Sequence, residues 1–203
     1  MKKAIVLAIV GIAAGLAQSS YGQSVVFLNN YTSTGPYVTY GAGSDGTVGN
    51  GVNGAYTMGL YYAVGTVSVN ADPTGIAVPS SLGPLSLGSG TGSTATFQTS
   101  AFGQAGAAVA GSVFNVPGTT GNGGEVVTLE IIAYEGASYA TAAFRGHSAA
   151  FQLTTSANSS PTPVTITPGM STFGVFAVVP EPTTMALGGL GLAALVLARR
   201  KKA

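Results

Sequence analysis

The stretch Val126–Tyr134 reads VVTLEIIAY and decides the fold, because it is the clearest strand pattern in the chain. Alternate residues of a strand point to opposite faces of its sheet. One face is wholly apolar and is made of Val127, Leu129, Ile131 and Ala133. The other face mixes polar with apolar residues, so we expect both faces to be covered.

Seven further apolar or alternating stretches lie on either side of this one, separated by Gly, Pro, Asn and Ser. Many short strands with turn residues between them indicate an all-β sandwich or barrel. We therefore predict one β-sandwich-like ectodomain over residues 23–178. The additional strand candidates are Val25–Leu28, Tyr37–Tyr40, Met58–Val64, Thr94–Gln98, Val109–Val116, Ala149–Thr154 and Thr172–Val179.

Only one helical stretch is expected inside this domain. Ser138 precedes Tyr139–Ala143, and a serine is a favoured residue at a helix N-terminus. Two Gly-, Ser- and Thr-rich stretches, Gly83–Thr96 and Pro117–Gly124, are interpreted as exposed loops.

The composition excludes several classes of protein. Only 6% of the 203 residues are charged, and there is no Cys. Disulfide scaffolds, thiolate zinc sites and cysteine nucleophiles are therefore excluded. Within residues 23–178 five acidic residues stand against Arg145 alone, and nucleic-acid binding needs clustered Lys and Arg. We expect no nucleic-acid partner and no cofactor.

The N-terminus has the layout of a secretory signal peptide over residues 1–22. Lys2 and Lys3 precede an uncharged apolar run, and small residues follow it. This order predicts export by the general secretory machinery and cleavage by signal peptidase between Gly22 and Gln23. A cut after Ala17 is the alternative.

The C-terminus has a second uncharged stretch, Thr183–Ala198, which is followed at once by the basic residues Arg199, Arg200, Lys201 and Lys202. A helix of that length spans about 24 Å, against about 30 Å for the hydrocarbon core of a bilayer. We predict a marginal transmembrane helix whose basic end reaches the cytoplasm. The basic cluster then acts as a stop and anchor.

Val179, Pro180, Glu181 and Pro182 stand directly before this helix. Two prolines around a glutamate favour an extended, accessible segment. This tetrad, the short Gly/Ala/Leu-rich helix and the basic end together resemble the PEP-CTERM sorting signal over residues 179–203. The resemblance implies recognition of the tetrad by an exosortase, a membrane-embedded cysteine transpeptidase. It also implies delivery to the surface of a Gram-negative bacterium, often one that makes exopolysaccharide. A plain single-pass anchor is the alternative.

Candidate catalytic residues are few. His147 is the one histidine, and acid–base or zinc chemistry usually requires partners that a chain without Cys or a second His lacks. We expect His147 to have a structural or surface role. Glu125, Glu130 and Glu135 are spaced by five residues and so alternate between the faces of a continuous strand, which does not make a glycosidase pair.

Two glycine-rich segments imitate ligand motifs. Gly49–Gly54 matches G-x-G-x-x-G, but it lacks the strand and helix that dinucleotide binding requires. Gly41–Gly46 is interpreted as a hairpin loop, with a single calcium ion at Asp45 left open. Six tyrosines in the first third are assigned to sheet packing, with a sugar-stacking platform as the alternative. They are Tyr31, Tyr37, Tyr40, Tyr56, Tyr61 and Tyr62.

These observations favour a non-enzymatic protein of the cell surface or extracellular matrix, of structural or interaction type. It is expected to be anchored transiently in the inner membrane and then released by processing of its tail. The alternative is a carbohydrate-binding module for exopolysaccharide, and an envelope hydrolase that uses carboxylates is less favoured.

Overall fold

The computed structural model describes residues 22–31, 37–98 and 105–178. Its strands are β1 Val25–Val26, β2 Val38–Tyr40, β3 Tyr56–Val64, β4 Ser86–Leu87, β5 Thr94–Thr96, β6 Phe114–Asn115, β7 Val126–Glu135, β8 Phe144–His147, β9 Phe151–Thr154 and β10 Phe173–Ala177. A four-residue helix, α1, spans Pro79–Leu82, and a 3-10 turn spans Tyr139–Thr141.

The two longest strands, β3 and β7, form the centre of the larger sheet. They pair antiparallel over their common length, from Tyr56 opposite Glu135 to Val64 opposite Val127. Each of them then pairs on its outer edge with two short strands placed end to end. On β3 these are β5 and β4, and on β7 they are β8 and β9.

The larger sheet continues beyond β8 to β10 and β2, and its order along the main path is β2-β10-β8-β7-β3-β4. β10 runs antiparallel to β8 and parallel to β2, so the sheet is mixed. β1 and β6 form a separate two-stranded antiparallel sheet. The predicted all-β class is confirmed.

Both faces of β7 are covered, as its sequence predicts. Residues 127 to 133 are all buried. Val127, Leu129 and Ile131 point into the main core, to which both sheets contribute residues such as Val26 and Phe114. On the other face a second apolar cluster is made of Tyr61, Leu85, Ile132 and Tyr139.

The helical content differs from the prediction. The expected helix Tyr139–Ala143 is only the 3-10 turn Tyr139–Thr141, because Ala142 has an extended backbone. Ser138 bonds the hydroxyl of Thr141 and does not cap a backbone N–H. The helix α1 was not predicted; it begins at a proline, a residue favoured in the first turn of a helix.

The strands β4 and β8 were likewise not predicted. β8, Phe144–His147, contains a glycine and two charged or ionisable residues and so lacks an apolar alternation. It forms because its residues pair with β7 on one edge and β10 on the other. Sheet context therefore decides this segment where intrinsic preference does not.

The predicted signal peptide up to residue 21 and the predicted helix 183–198 lie outside the described residues. Within 22–31, 37–98 and 105–178, no helix has the length and apolar content needed to cross a membrane.

Candidate functional site

His147, the last residue of β8, is the centre of a buried group of charges. Its residue surface is only 7% exposed. On one side Nε2 lies 3.0 Å from Oδ2 of Asp72. On the other side Nδ1 lies 2.9 Å from the carbonyl oxygen of Ser148 and makes an ion pair with Oε1 of Glu130. We call Asp72, Glu130 and His147 the histidine cluster.

Asp72 belongs to the loop between β3 and α1 and shapes that loop. Its Oδ1 accepts hydrogen bonds from the backbone N–H and hydroxyl of Thr74, and its Oδ2 accepts from the N–H groups of Ile76 and Ala77. Burial alone raises the pKa of Asp72, but the bonds from Thr74, Ala77 and His147 outweigh it and hold the pKa well below its usual range. Asp72 is therefore an anion that ties the loop to β8.

Glu130 lies in the middle of β7 on the face opposite the main core. Its side chain is 1% exposed. Register places its neighbour Ile132 opposite His147, so β7 and β8 bring the glutamate and the imidazole together. Oε2 of Glu130 has no hydrogen-bond partner among the described residues.

The surroundings of His147 require a protonated ring. Both ring nitrogens face acceptor atoms, and a neutral imidazole has only one N–H to donate. Burial lowers the pKa of His147, but the contacts with Glu130, the Ser148 carbonyl and Asp72 raise it to about 9. The ring is therefore an imidazolium at neutral pH, held between two carboxylates.

Arg145, two residues earlier on β8, fastens the same loop through backbone carbonyls. Its Nε donates to the carbonyl oxygen of Ile76 at 2.8 Å, and its Nη1 donates to those of Tyr139 and Ala140. The guanidinium also lies 5.3 Å from the centre of the Tyr139 ring, within the range of a cation–π contact. Together with His147 N–H, which donates to the Gly75 carbonyl, it holds the loop on the sheet.

A cavity of about 270 Å³ opens beside the histidine cluster. The cluster itself and Ser148 supply polar groups to its wall, and small exposed residues on the β8–β9 connection, Ala149 and Ala150, lie along it. The loop before Asp72 forms the remaining wall. This is a small polar pocket with ionised groups at its base.

The three glutamates considered as a glycosidase pair, Glu125, Glu130 and Glu135, do not lie together in the structure. Glu125 accepts hydrogen bonds from the Ser24 hydroxyl at 2.5 Å and from the Thr120 N–H at 2.8 Å. These bonds, the Ser24 hydroxyl first, lower the pKa of Glu125. Glu135 lies at the far end of β7, opposite Tyr56. Neither shares a site with Glu130.

His147 has a buried position, and its partners are carboxylates. The partners expected of a zinc ligand, a Cys or a second His, are absent from this cluster, but His147 does contact two ionisable residues. Sequence reasoning missed Asp72 as its partner, since 75 residues separate the two.

The tyrosines divide between core and surface. Tyr40, Tyr56 and Tyr61 are buried, which confirms packing for these three, whereas Tyr31 is 43% exposed. The rings of Tyr40 and Tyr56 meet edge to face with centroids 5.8 Å apart. A stacking platform for sugars requires exposed rings, and the buried tyrosines do not provide them.

The glycine-rich segments line an open hollow of about 880 Å³, with Asp45, Asn50, Asn53 and Tyr40 in its wall. The carboxylate of Asp45 accepts a hydrogen bond from the hydroxyl of Tyr56. Across residues 22–31, 37–98 and 105–178, no group of three or more His, Asp or Glu side chains is placed to hold a metal ion.

The remaining predicted sites fall at or beyond the edges of the described residues. Gly22 and Gln23, the predicted signal-peptide cleavage pair, are the first two described residues. The tetrad 179–182 and the basic cluster 199–202 lie outside them. Val178, the last described residue, donates its N–H to the carbonyl oxygen of Ala143 at 2.7 Å, one residue after β10 ends.

Comparison with protein families bears on the tail of the chain. Residues 178–202 match the family model described as the PEP-CTERM protein-sorting motif. No curated protein and no solved structure matches the chain. The matched segment is about an eighth of the chain, so it describes the tail and not the β domain. The chain thus carries a PEP-CTERM sorting motif, which supports a sorted, exported protein with an exosortase-type processing partner.

Proposed function

We propose that this chain is a non-enzymatic protein of the bacterial cell surface or extracellular matrix, delivered and processed through its C-terminal tail. One observation carries the proposal, namely the sorting motif at residues 178–202. Its position supports the same reading, since β10 ends at Ala177 and the motif follows at once. The folded domain is then the cargo, and the tail is the substrate of the processing enzyme.

Each part of the tail has a separate task in this proposal. The extended tetrad 179–182 is presented to the transpeptidase, with Glu181 and its flanking prolines as the recognised residues. The stretch 183–198 is a short, temporary membrane anchor. The basic residues 199–202 stay in the cytoplasm as a stop. The general secretory machinery and signal peptidase act earlier, at the N-terminus.

The geometry of the domain supports a structural or interaction role over catalysis. In the histidine cluster the imidazole occupies the space between the carboxylates of Asp72 and Glu130. A glycosidase needs its two carboxylates to flank the scissile bond of the substrate. Ser148 lines the adjoining cavity, but its hydroxyl is buried and donates to the carbonyl oxygen of Ala149, so it is not poised as a nucleophile.

Binding of exopolysaccharide by the domain is a second candidate, and one observation favours it. The hollow of about 880 Å³ is open and lined by Asp45, Thr47, Asn50 and Asn53, which offer hydrogen-bond donors and acceptors suited to sugar hydroxyls. A polysaccharide pull-down that is lost on Asn50→Ala and Asn53→Ala would support this role. A hydrolytic activity lost on Glu130→Gln would support the hydrolase instead.

Substitution of the tetrad tests the main proposal in the producing cell. In Glu181→Gln and Pro180→Ala variants we expect the protein to remain in the membrane fraction instead of reaching the surface extract. Glu135→Gln and Pro161→Ala are matched controls inside the domain, the second at an exposed position. They should distribute like the natural chain. Surface delivery of both tetrad variants at the normal level would contradict the proposal.

A further inference from the structure

The cavity beside the histidine cluster contains one charged acceptor that the described residues leave unused. Oε2 of Glu130 is buried without a hydrogen-bond partner among them, and Glu130 lines the cavity. A buried acceptor without a partner is strongly unfavourable, and more so when it carries charge. A hydrogen-bond donor that does not belong to the described residues would therefore stabilise the carboxylate of Glu130.

Donors on His147, Ser148 and Arg145 already make other bonds. The Nε2–H of His147 faces Asp72, and its Nδ1–H faces the carbonyl oxygen of Ser148 and Oε1 of Glu130. The hydroxyl of Ser148 donates to the carbonyl oxygen of Ala149. Arg145 donates to three backbone carbonyls. None of these groups can turn to Oε2 without losing a bond it already makes.

The charge of the cavity wall selects the kind of donor. Asp72 and Glu130 carry two negative charges and His147 one positive charge, which leaves a net charge of −1 on the lining residues. All lysines of the chain are at positions 2, 3, 201 and 202. The β domain thus has an anionic pocket and no lysine of its own to fill it.

The volume limits the size of the ligand. A cavity of about 270 Å³ lies just below the usual range of about 300–1,000 Å³ for small-molecule sites. Liquid water takes about 30 Å³ per molecule, so the space equals about nine waters. A molecule of a few heavy atoms fits, and the exposed Ala149 and Ala150 leave a route of entry.

We propose that this cavity binds a small organic cation with a primary ammonium group, which donates a hydrogen bond to Oε2 of Glu130. The site is independent of the sorting tail and goes beyond the proposed function. It gives the exported domain a recognition site for amines.

Ethanolamine is a suitable probe, because ethylene glycol matches it closely in size without the charge. His147 is the one histidine of the chain, so its ring resonances report on the cavity without ambiguity. We expect ethanolamine to shift these resonances in a saturable way in NMR titrations of the full chain in detergent. Ethylene glycol, and sodium or potassium chloride at equal ionic strength, should not.

Two variants locate the binding in the cavity. Glu130→Gln keeps the shape of the side chain but removes its charge. We expect the affinity for ethanolamine to fall by about tenfold or more. Ala150→Phe adds bulk at an exposed lining residue and changes no residue of the histidine cluster, so it serves even if the first variant fails to fold. Ala55→Phe, exposed and outside this cavity, is the matched control and should bind ethanolamine normally.

The proposal is overturned if ethanolamine and ethylene glycol give the same response, or if Ala150→Phe binds as well as the natural chain. No saturable response to ethanolamine would also overturn it and would leave buried water as the partner of Glu130. A saturable response to the salt controls alone would make it a site for inorganic cations.

Discussion

At the residue scale, the imidazole of His147 joins three segments that are distant in the sequence. The ring contacts Asp72 in the loop after β3 and Glu130 in β7, and the backbone N–H of His147 donates to the carbonyl oxygen of Gly75. A buried ion pair is not in itself evidence of stability, because desolvation opposes the attraction. Removing one partner is nevertheless costly, since the other charges stay buried.

The stability of the domain should depend on pH through this cluster. The pKa of His147 rises from 6.5 to about 9 on folding, so its contribution is complete below pH 6.5 and is lost as the pH rises through 9. The pKa of Asp72 is lowered on folding, so the contribution of Asp72 to stability is lost on the acid side, as the pH falls below 3.8. We expect a loss of about 1–2 kcal/mol on the alkaline side.

Urea unfolding at several pH values measures this dependence. The free energy of unfolding should be highest between about pH 4 and 6.5 and should fall toward pH 10. In His147→Gln the part of the alkaline decline that belongs to this ring should vanish. A natural chain whose stability rises from pH 7 to pH 10 would contradict a protonated ring.

Asp72→Asn should destabilise the domain by about 1–3 kcal/mol. The amide of this variant would keep one acceptor oxygen. Its NH₂ group would face N–H or O–H donors that in the natural chain bond the second carboxylate oxygen. The same change should lower the pKa of His147, which an NMR titration of its ring reads directly. Glu135→Gln is the control at a half-buried acid outside the cluster, and equal effects of the two changes would count against this role of Asp72.

The sequence allows only part of this site to be foreseen. Glu130 could be placed on the less apolar face of β7 from alternation alone. Its meeting with His147 depends on β8, which has no strand pattern, and Asp72 arrives on a loop without regular structure. Long-range partners of this kind follow from topology, and nothing in the spacing of the residues indicates them.

At the element scale, the register of β7 against β3 organises the larger sheet, and β8 joins it to β10 and β2. Most strand candidates were recognisable because apolar alternation and turn residues are local features. The strands β4 and β8 and the helix α1 were not, since neighbouring strands or a loop decide their conformation. Ser138 shows the limit of capping rules, because its hydroxyl bonds Thr141 instead of a backbone N–H.

Gly146 lets β8 and β10 approach closely. A Cβ at this position would overlap the backbone carbonyl oxygen of Gly174, which has no easy way to move. Gly146→Ala should therefore lower the free energy of unfolding by about 1–3 kcal/mol. Thermal or urea unfolding measures the change.

Gly111→Ala is the matched control, because a Cβ there has no atom within 4 Å. Its effect should stay within about 0.5 kcal/mol. Equal stability of the two variants would contradict the close approach of β8 to β10 at Gly146.

At the scale of the whole molecule, the described β strands end at Ala177 and the sorting motif begins at residue 178. The described core draws on residues from Val26 to Val175. The last backbone bond found in it comes from Val178. We therefore infer that the domain does not require the tetrad for its folding.

Three fragments test this independence. A fragment of residues 22–178 and one of residues 22–182 should have the same midpoint of thermal unfolding, within about 2 °C. A fragment ending at residue 172 removes β10 and should fail to fold cooperatively. A clear gain in stability from residues 179–182 would mean that the tetrad packs on the domain and is less accessible to an enzyme.

The intact mass of the protein extracted from the cell surface tests the central claim most directly. In cells with the exosortase-type enzyme, we predict a mass that lacks the basic cluster 199–202 and the residues around it, with cleavage near the tetrad 179–182. In cells without the enzyme, the tail should be retained. A surface form that keeps Arg199–Ala203 in normal cells would contradict the account and leave a simple membrane anchor.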